Sequence, residues 1–417
     1  MPSETTPLLG SGLPGLSLPV PITNPRSVLP IKPPRTHFLD NLRGVLVFLL
    51  IFHHAAVNIL QRTAFDDVEE RTRRARAVLS TFIQANTQIL WPTFFLVSGW
   101  AARLALEAKP DGYKFARKRV VWTSFPAMVY LVIGRWLIVK WIDVEVFVSD
   151  SSNPQWTPYA QLTGPVPYIL ALVILDIGHV VVRLLVRKMP TISRRDLDIV
   201  CKVVLIMAAI SLVIHASALH HIHARLIPGV YYLFFPGDLP GYGAPTTFIV
   251  AYAAGANGPF LQQRVLTTRW TIAFPAALAS LTFAYFPSPF LGVFRWISLF
   301  LPGPNTIYYA IVFFAVPWSI LSIFTTLPAL MIKWTTSWVP WAWLVAYVHT
   351  VPTIIAIHAL QTSKYLTEDL ILRTLLAGAV GAVITWALVA IVAKIWRWTK
   401  WIRRGGRLSM ILITRRL

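Results

Sequence analysis

The sequence predicts an all-α, polytopic membrane protein of about ten transmembrane helices with both termini cytoplasmic. Three observations lead there. The 417 residues are 56% hydrophobic and only 13% charged, with a mean hydropathy of +0.60; a soluble chain of this length needs more charge to cover its surface. The apolar residues fall in runs of about 20, the length that crosses a hydrocarbon core as a helix. The lysines and arginines fall between those runs, mostly on one side.

Residues 1–37 form the first segment. Prolines break it repeatedly (Pro2, Pro7, Pro14, Pro19, Pro21, Pro25, Pro30, Pro33 and Pro34), it lacks the charged start of a secretory signal, and it reads as a disordered cytoplasmic tail. Within it Glu4-Thr-Thr-Pro-Leu-Leu9 has the form of an acidic dileucine sorting signal, the kind that directs proteins among endomembranes and to vacuoles. The sequence names no organelle. The membrane domain follows at 38–396, with spans near 38–60, 79–102, 120–142, 166–186, 199–219, 244–260, 270–290, 306–326, 340–360 and 374–396. Glycine and proline interrupt the sixth and seventh most. Residues 397–417 form a basic cytoplasmic tail with Arg397, Lys400, Arg403, Arg404 and Arg407.

Charge orients this set. With the N-terminus inside, the loops holding Arg103, Lys109, Lys114 and Arg117 to Arg119, and those holding Arg187, Lys188, Arg194 and Arg195, are cytoplasmic. The first outer loop carries Arg71, Arg73, Arg74 and Arg76, but Asp66, Asp67, Glu69 and Glu70 nearly neutralise it. A net charge of +21 would suggest nucleic acid in a soluble protein. Here the cations sit in loops between spans, so the lipid bilayer is the partner and nucleic acid is not. The one cysteine, Cys201, excludes an internal disulfide and a Cys-x-x-Cys motif.

Ionisable groups inside a span are costly and point to function. In the first span Arg43 and His54 are eleven steps apart, so they return to within about 20° of one helix face and lie about 16 Å apart along the axis. His53 falls about 80° away, while Asp40 and Asn58 join the stripe of His54. A cation near the cytoplasmic rim and an imidazole at mid-membrane thus face the same way. A buried histidine bonded to a neighbouring helix, with Arg43 as an interfacial anchor, is the plainer alternative. In the second span Gln84, Gln88, Trp91 and Ser98 share one face and offer a polar wall, or simply glue between helices.

At these residues the sequence resembles the acyltransferase 3 family of membrane O-acyltransferases. Leu39-Asp-Asn-Leu-Arg43, ten residues, then His54 is similar to its Arg-x10-His signature. Phe94-Phe-Leu-Val-Ser-Gly99 resembles its second-span motif, and Phe115-Ala-Arg-Lys-Arg119 before Pro126 resembles its basic lead-in to the third span. Gly164-Pro-Val-Pro-Tyr168 resembles its Gly-Pro-x-Trp-Phe stretch, with Pro-Tyr for Trp-Phe. Tyr347-Val-His349 resembles its late Tyr-x-x-His motif, one residue shorter. The resemblance covers residues 38 to about 395 and implies ten helices, which agrees with the count of apolar runs.

The resemblance implies acyl-CoA, with acetyl-CoA as first expectation, as donor and a hydroxyl-bearing acceptor. A neutral imidazole near pH 7 suits removal of the hydroxyl proton, which makes His54 the expected base. Arg43 positions the donor, His349 supports the base or the acceptor, and Arg117, Lys118 and Arg119 hold the nucleotide end. Plain helix-orienting loop charge is the other reading of that triplet. Gln88 and Ser98 line the acceptor side, no metal is expected, and the aromatic-rich spans suit a hydrophobic acceptor in specialised-metabolite biosynthesis. Direct attack with His54 as base is favoured, and an acyl-histidine route stays open.

Other histidines carry other readings. His215, His220, His221 and His223 cluster at the end of the fifth span, but a single cluster with few carboxylates is a poor metal centre. His54 and His349 together could ligate a haem. His349 and His358 lie nine steps apart on opposite faces, so at most one faces His54. A multi-pass transporter of a small solute is the rival function, although no related halves are visible.

Overall fold

A computed structural model describes residues 37–62, 70–108, 110–134, 166–188, 245–257, 269–285, 304–327, 341–361 and 369–414. Every regular element among them is a helix. Helix α1 is His37–Arg62, α2 Glu70–Ala108, α3 Gly112–Arg119, α4 Phe125–Val129, α5 Val166–Lys188, α6 Pro245–Asn257 and α7 Trp270–Tyr285. Then come α8 at Pro304–Thr326, α9 at Ala342–Val348, α10 at Thr350–Gln361 and α11 at Leu370–Thr414. Among the described residues four stretches are long and apolar enough to cross a membrane: His37–Leu60, Thr72–Ala108, Tyr168–Leu185 and Leu370–Thr399. The expected fifth span, its histidine cluster, Cys201 and the dileucine pattern lie outside the described residues.

Proline marks two of the irregular places. A proline has no N–H for the carbonyl four residues back, and its ring crowds that carbonyl. Pro352 therefore deprives Val348, and the helix breaks between α9 and α10 at His349. Pro126 does the same to Trp122, and the chain from Val120 to Ser124 winds in widened π-type turns between α3 and α4. The last span differs from its expected bounds: α11 is one helix of 45 residues that continues through the basic segment to Thr414.

Helix α1 sits at the centre of the described bundle, packed against α2, α8, α9, α10 and α11. Its apolar positions recur every three or four residues, and Leu42, Leu46, Leu50 and Ile51 are buried against Leu90 and Phe95 of α2. Higher on the same helix, Ala55, Ala56 and Ile59 meet Leu79 of α2, Ile357 of α10 and Leu370 of α11. The outward sides are apolar as well: Ile174, Val181 and Leu185 of α5 and Val383, Ile391 and Ile395 of α11 are exposed. Water would penalise such faces, whereas lipid suits them.

Helices α2 and α6 cross at closest approach where both lack side chains. A Cβ on Gly99 would run into the Tyr252 carbonyl oxygen, and one on Gly255 into the Leu96 carbonyl oxygen. Small residues are what let two helix backbones approach this closely in lipid. The crossing fixes where Tyr252 stands relative to Ser98.

Candidate functional site

Two polar groups lie along α1, one near its start and one near its middle. The inner group begins with His54, half-buried, and its buried neighbour His53, whose ring centroid is 5.8 Å away. The Asn58 Nδ2 donates to the His54 backbone carbonyl at 2.7 Å, so Asn58 braces the helix beneath the imidazole. The break after α9 then delivers His349. This residue is fully buried, and its ring meets that of His54 edge-on with centroids 4.9 Å apart. Its Nδ1 lies 2.9 Å from the Ala346 carbonyl oxygen. A carbonyl only accepts, so Nδ1 carries the proton and Nε2 presents its lone pair. That Nε2 is buried without a hydrogen-bond partner, as is the Nδ1 of His53. His358, one helix face away, is exposed.

The second group surrounds Arg43. Its guanidinium lies 3.5 Å from Asp40, one turn earlier, and stays one-third exposed. It is within electrostatic reach of Arg119, Tyr168 and Asp176. Arg119 leaves the end of α3 and pairs with the Asp176 carboxylate of α5 at 2.9 Å. The other carboxylate oxygen of Asp176 accepts from the Tyr252 hydroxyl at 2.5 Å. Tyr168 is hydrogen-bonded to Ser98 and sits among Trp91, Phe94 and Phe95, with centroid distances from 5.0 to 5.4 Å. The Tyr347 hydroxyl donates to the Thr123 carbonyl at 2.7 Å, tying α9 to the widened turn after α3.

The expected residues thus divide. Arg43, His54, His349 and Ser98 all lie in these two groups. Of the basic triplet, Arg117 and Lys118 are exposed on α3, while Arg119 turns inward to Asp176. The side chains of Gln84 and Gln88 lie outside the described residues. Asp176 and Tyr252 belong to the site but do not stand among the sequence expectations. A lone carboxylate within an apolar run is itself a signal; Tyr252 has no such mark. Among the described residues no three histidine, cysteine, aspartate or glutamate side chains gather as they would around a metal ion.

Chemically, the inner group offers an unpartnered imidazole nitrogen on His349 that can accept a proton, and the outer group carries cations that can meet an anion. The rise along α1 from Arg43 to His54, about 16 Å, separates the two tasks. No family model, no curated protein and no solved structure matches this chain.

Proposed function

We propose that this chain is a multi-pass membrane O-acyltransferase, most simply an O-acetyltransferase, that moves an acyl group from acyl-CoA to a hydroxyl of a small metabolite, lipid or sugar. The supporting observation is the edge-on contact of His54 with His349, half a membrane's depth from Arg43 on the same helix. Ten spans with both termini cytoplasmic complete the reading, because they put Arg43, Arg117 and Lys118 on the side where coenzyme A is found.

The residues suit the donor's charge. Arg117 and Lys118 are exposed cations that can meet the nucleotide phosphates, and Arg43 stands deeper with part of its guanidinium open. Asp176 already takes Arg119, so Arg119 shapes this opening rather than binding phosphate outright. Acyl-CoA supplies an acyl group activated as a thioester. The His54 ring takes the proton from the acceptor hydroxyl as its oxygen bonds to the acyl carbon; the carbon–sulfur bond breaks and the departing thiol receives that proton. His349, with Nδ1 tied to Ala346, holds the His54 ring on its edge.

The test uses the purified full chain with radiolabelled acetyl-CoA and a lysate-derived pool of hydroxyl compounds. Label should move to an acceptor, and His54→Ala should lower that rate about 10²–10⁴-fold while acetyl-CoA still binds. Absence of both binding and transfer, together with solute flux in reconstituted vesicles, would make the chain a transporter.

A further inference from the structure

Helix α11 runs on to Thr414, about 22 Å past Thr399, the last residue of its membrane-crossing stretch. From Lys394 to Leu417 the sequence has eight lysines and arginines and no aspartate or glutamate. Lys394 and Arg397 are exposed, and among the described residues neither pairs with a carboxylate. The Arg397 Nε donates to the Ala393 carbonyl at 3.3 Å. So much uncompensated charge in one short helical segment calls for a partner of opposite sign.

Helical register sorts the segment into two faces. At 100° per residue, the positions of Arg397, Lys400, Arg403, Arg404 and Arg407 fall within about 120° of one another. Those of Trp398, Trp401, Leu408 and Leu412 fall within about 80°, centred about 120° away from the cations. Charge that only orients a span acts from any side of a loop and needs no face. A cationic arc beside an aromatic and aliphatic one is the pattern of a helix at a charged bilayer surface. The depth is marked as well. Trp396 falls in the cationic arc by the same count, and its ring meets that of Trp122 edge-on, with centroids 5.1 Å apart. Trp122 stands in the widened turn directly after α3, whose Arg117 and Lys118 are exposed. Paired tryptophans beside two basic elements are the mark of the membrane–water interface. Arg407 is about 12 Å beyond Thr399 along the axis. A headgroup layer of about 6 Å and a Debye length of about 8 Å therefore keep the whole cationic arc within reach of lipid charge, even with α11 along the membrane normal.

We propose that the end of α11 from Arg397 to Arg407 is a docking surface for anionic phospholipids of the cytoplasmic leaflet. The cationic arc supplies the counter-charge for their headgroups, and the apolar arc suits the boundary between headgroups and chains. A soluble polyanion would match the first arc and leave the second in water. Four to eight basic residues directly beyond a span suffice to select acidic lipid, each cation near the surface contributing about fivefold. The surface does not rest on the acyltransferase reading. It rests on a cytoplasmic C-terminus only for which leaflet it meets.

The experiment uses the full chain in phosphatidylcholine nanodiscs, which present the same lipid in both leaflets. A bimane on Ser409→Cys, in a Cys201→Ser background, reports lipid at contact range. Phosphatidylserine or phosphatidylcholine carrying a doxyl group near the headgroup is added as quencher. Half-quenching should need about fivefold less of the serine lipid than of the choline lipid, or less still. That preference should fall towards unity as salt is raised about tenfold, because salt screens exposed charge. Joint replacement Lys400→Gln, Arg403→Gln, Arg404→Gln and Arg407→Gln should erase it, whereas Arg403→Lys, Arg404→Lys and Arg407→Lys together should keep it. Equal quenching by the two lipids overturns the proposal, as does a preference that survives the glutamines or ignores salt. Loss of the preference in the lysine variant also overturns it, since charge is then not what selects the lipid. The salt series needs no variant, so the proposal stays open to refutation on the otherwise unaltered chain.

Discussion

At the scale of single residues, the imidazole pair and the Asp176 carboxylate make different demands. Asparagine places an amide nitrogen where histidine has Nδ1, so His349→Asn keeps the bond to Ala346 and deletes Nε2. That variant should fold normally and lose about 10²-fold in acetyl transfer; transfer within twofold of wild type would reduce His349 to packing. Asp176 accepts from both Arg119 and Tyr252. Asp176→Asn should destabilise by about 2–3 kcal/mol, less than a fully buried pair would lose, because water screens the partly exposed Arg119. Tyr252→Phe should cost about 1.5 kcal/mol, the value of a hydrogen bond to a charged group. Thermal unfolding of both single variants and the double variant checks this, and the double should cost less than the sum, because the two share one carboxylate.

At the scale of elements, the α2–α6 crossing and the start of α3 are the sensitive places. A methyl on Gly99 meets backbone atoms of α6, which cannot swing aside as a flexible side chain would. Gly99→Ala should therefore force the helices apart and cost about 1–3 kcal/mol, read as a lower unfolding temperature. Gly44→Ala is the control, since nothing stands within 4 Å of a Cβ there. Asp111 caps α3: it accepts from the Lys114 N–H at 2.9 Å, and that bond, then the Lys114 side chain, holds its carboxyl below the usual carboxylate range. A lowered pKa means the cap contributes fully above the ordinary carboxylate pKa and is lost as pH falls through the lowered one. The protection factors of amides 112–119, corrected for the slower intrinsic exchange in acid, should fall as pH drops through the lowered pKa, and Asp111→Asn, which keeps an accepting oxygen, should remove that fall.

At the scale of the whole molecule, the orientation is open to direct measurement. On a Cys201→Ser background, Ser27→Cys and Ser409→Cys should react with a membrane-impermeant maleimide from the cytoplasmic face, and Thr72→Cys from the other; Ser27 and Ser409 on opposite faces would break the even span count. Helices α1, α5 and α8 were legible in the sequence to within a few residues, because an apolar run of that length has one way to satisfy its backbone in lipid. The split between α9 and α10 hides inside a single apolar run, where only Pro352 marks it. The end of α11 was illegible for the opposite reason: tryptophans and cations from Lys394 onward mark an interface, but a helix need not stop where the bilayer does. Within the site, helical spacing alone puts Arg43 and His54 on one face of α1, and the resemblance gave them their roles. His349 was reached through resemblance, and the partners of Asp176 lie 57 and 76 residues away in the chain, beyond any local pattern.

The contact between His54 and His349 also sets a timetable. The first imidazole is made early and the second 295 residues later, which at about 5–20 residues per second is roughly 15–60 s of synthesis. During that interval α1 is in place without α9, α10 and α11, three of the helices that pack against it. A nascent chain released before residue 349 thus holds a histidine with nothing to hold it in turn.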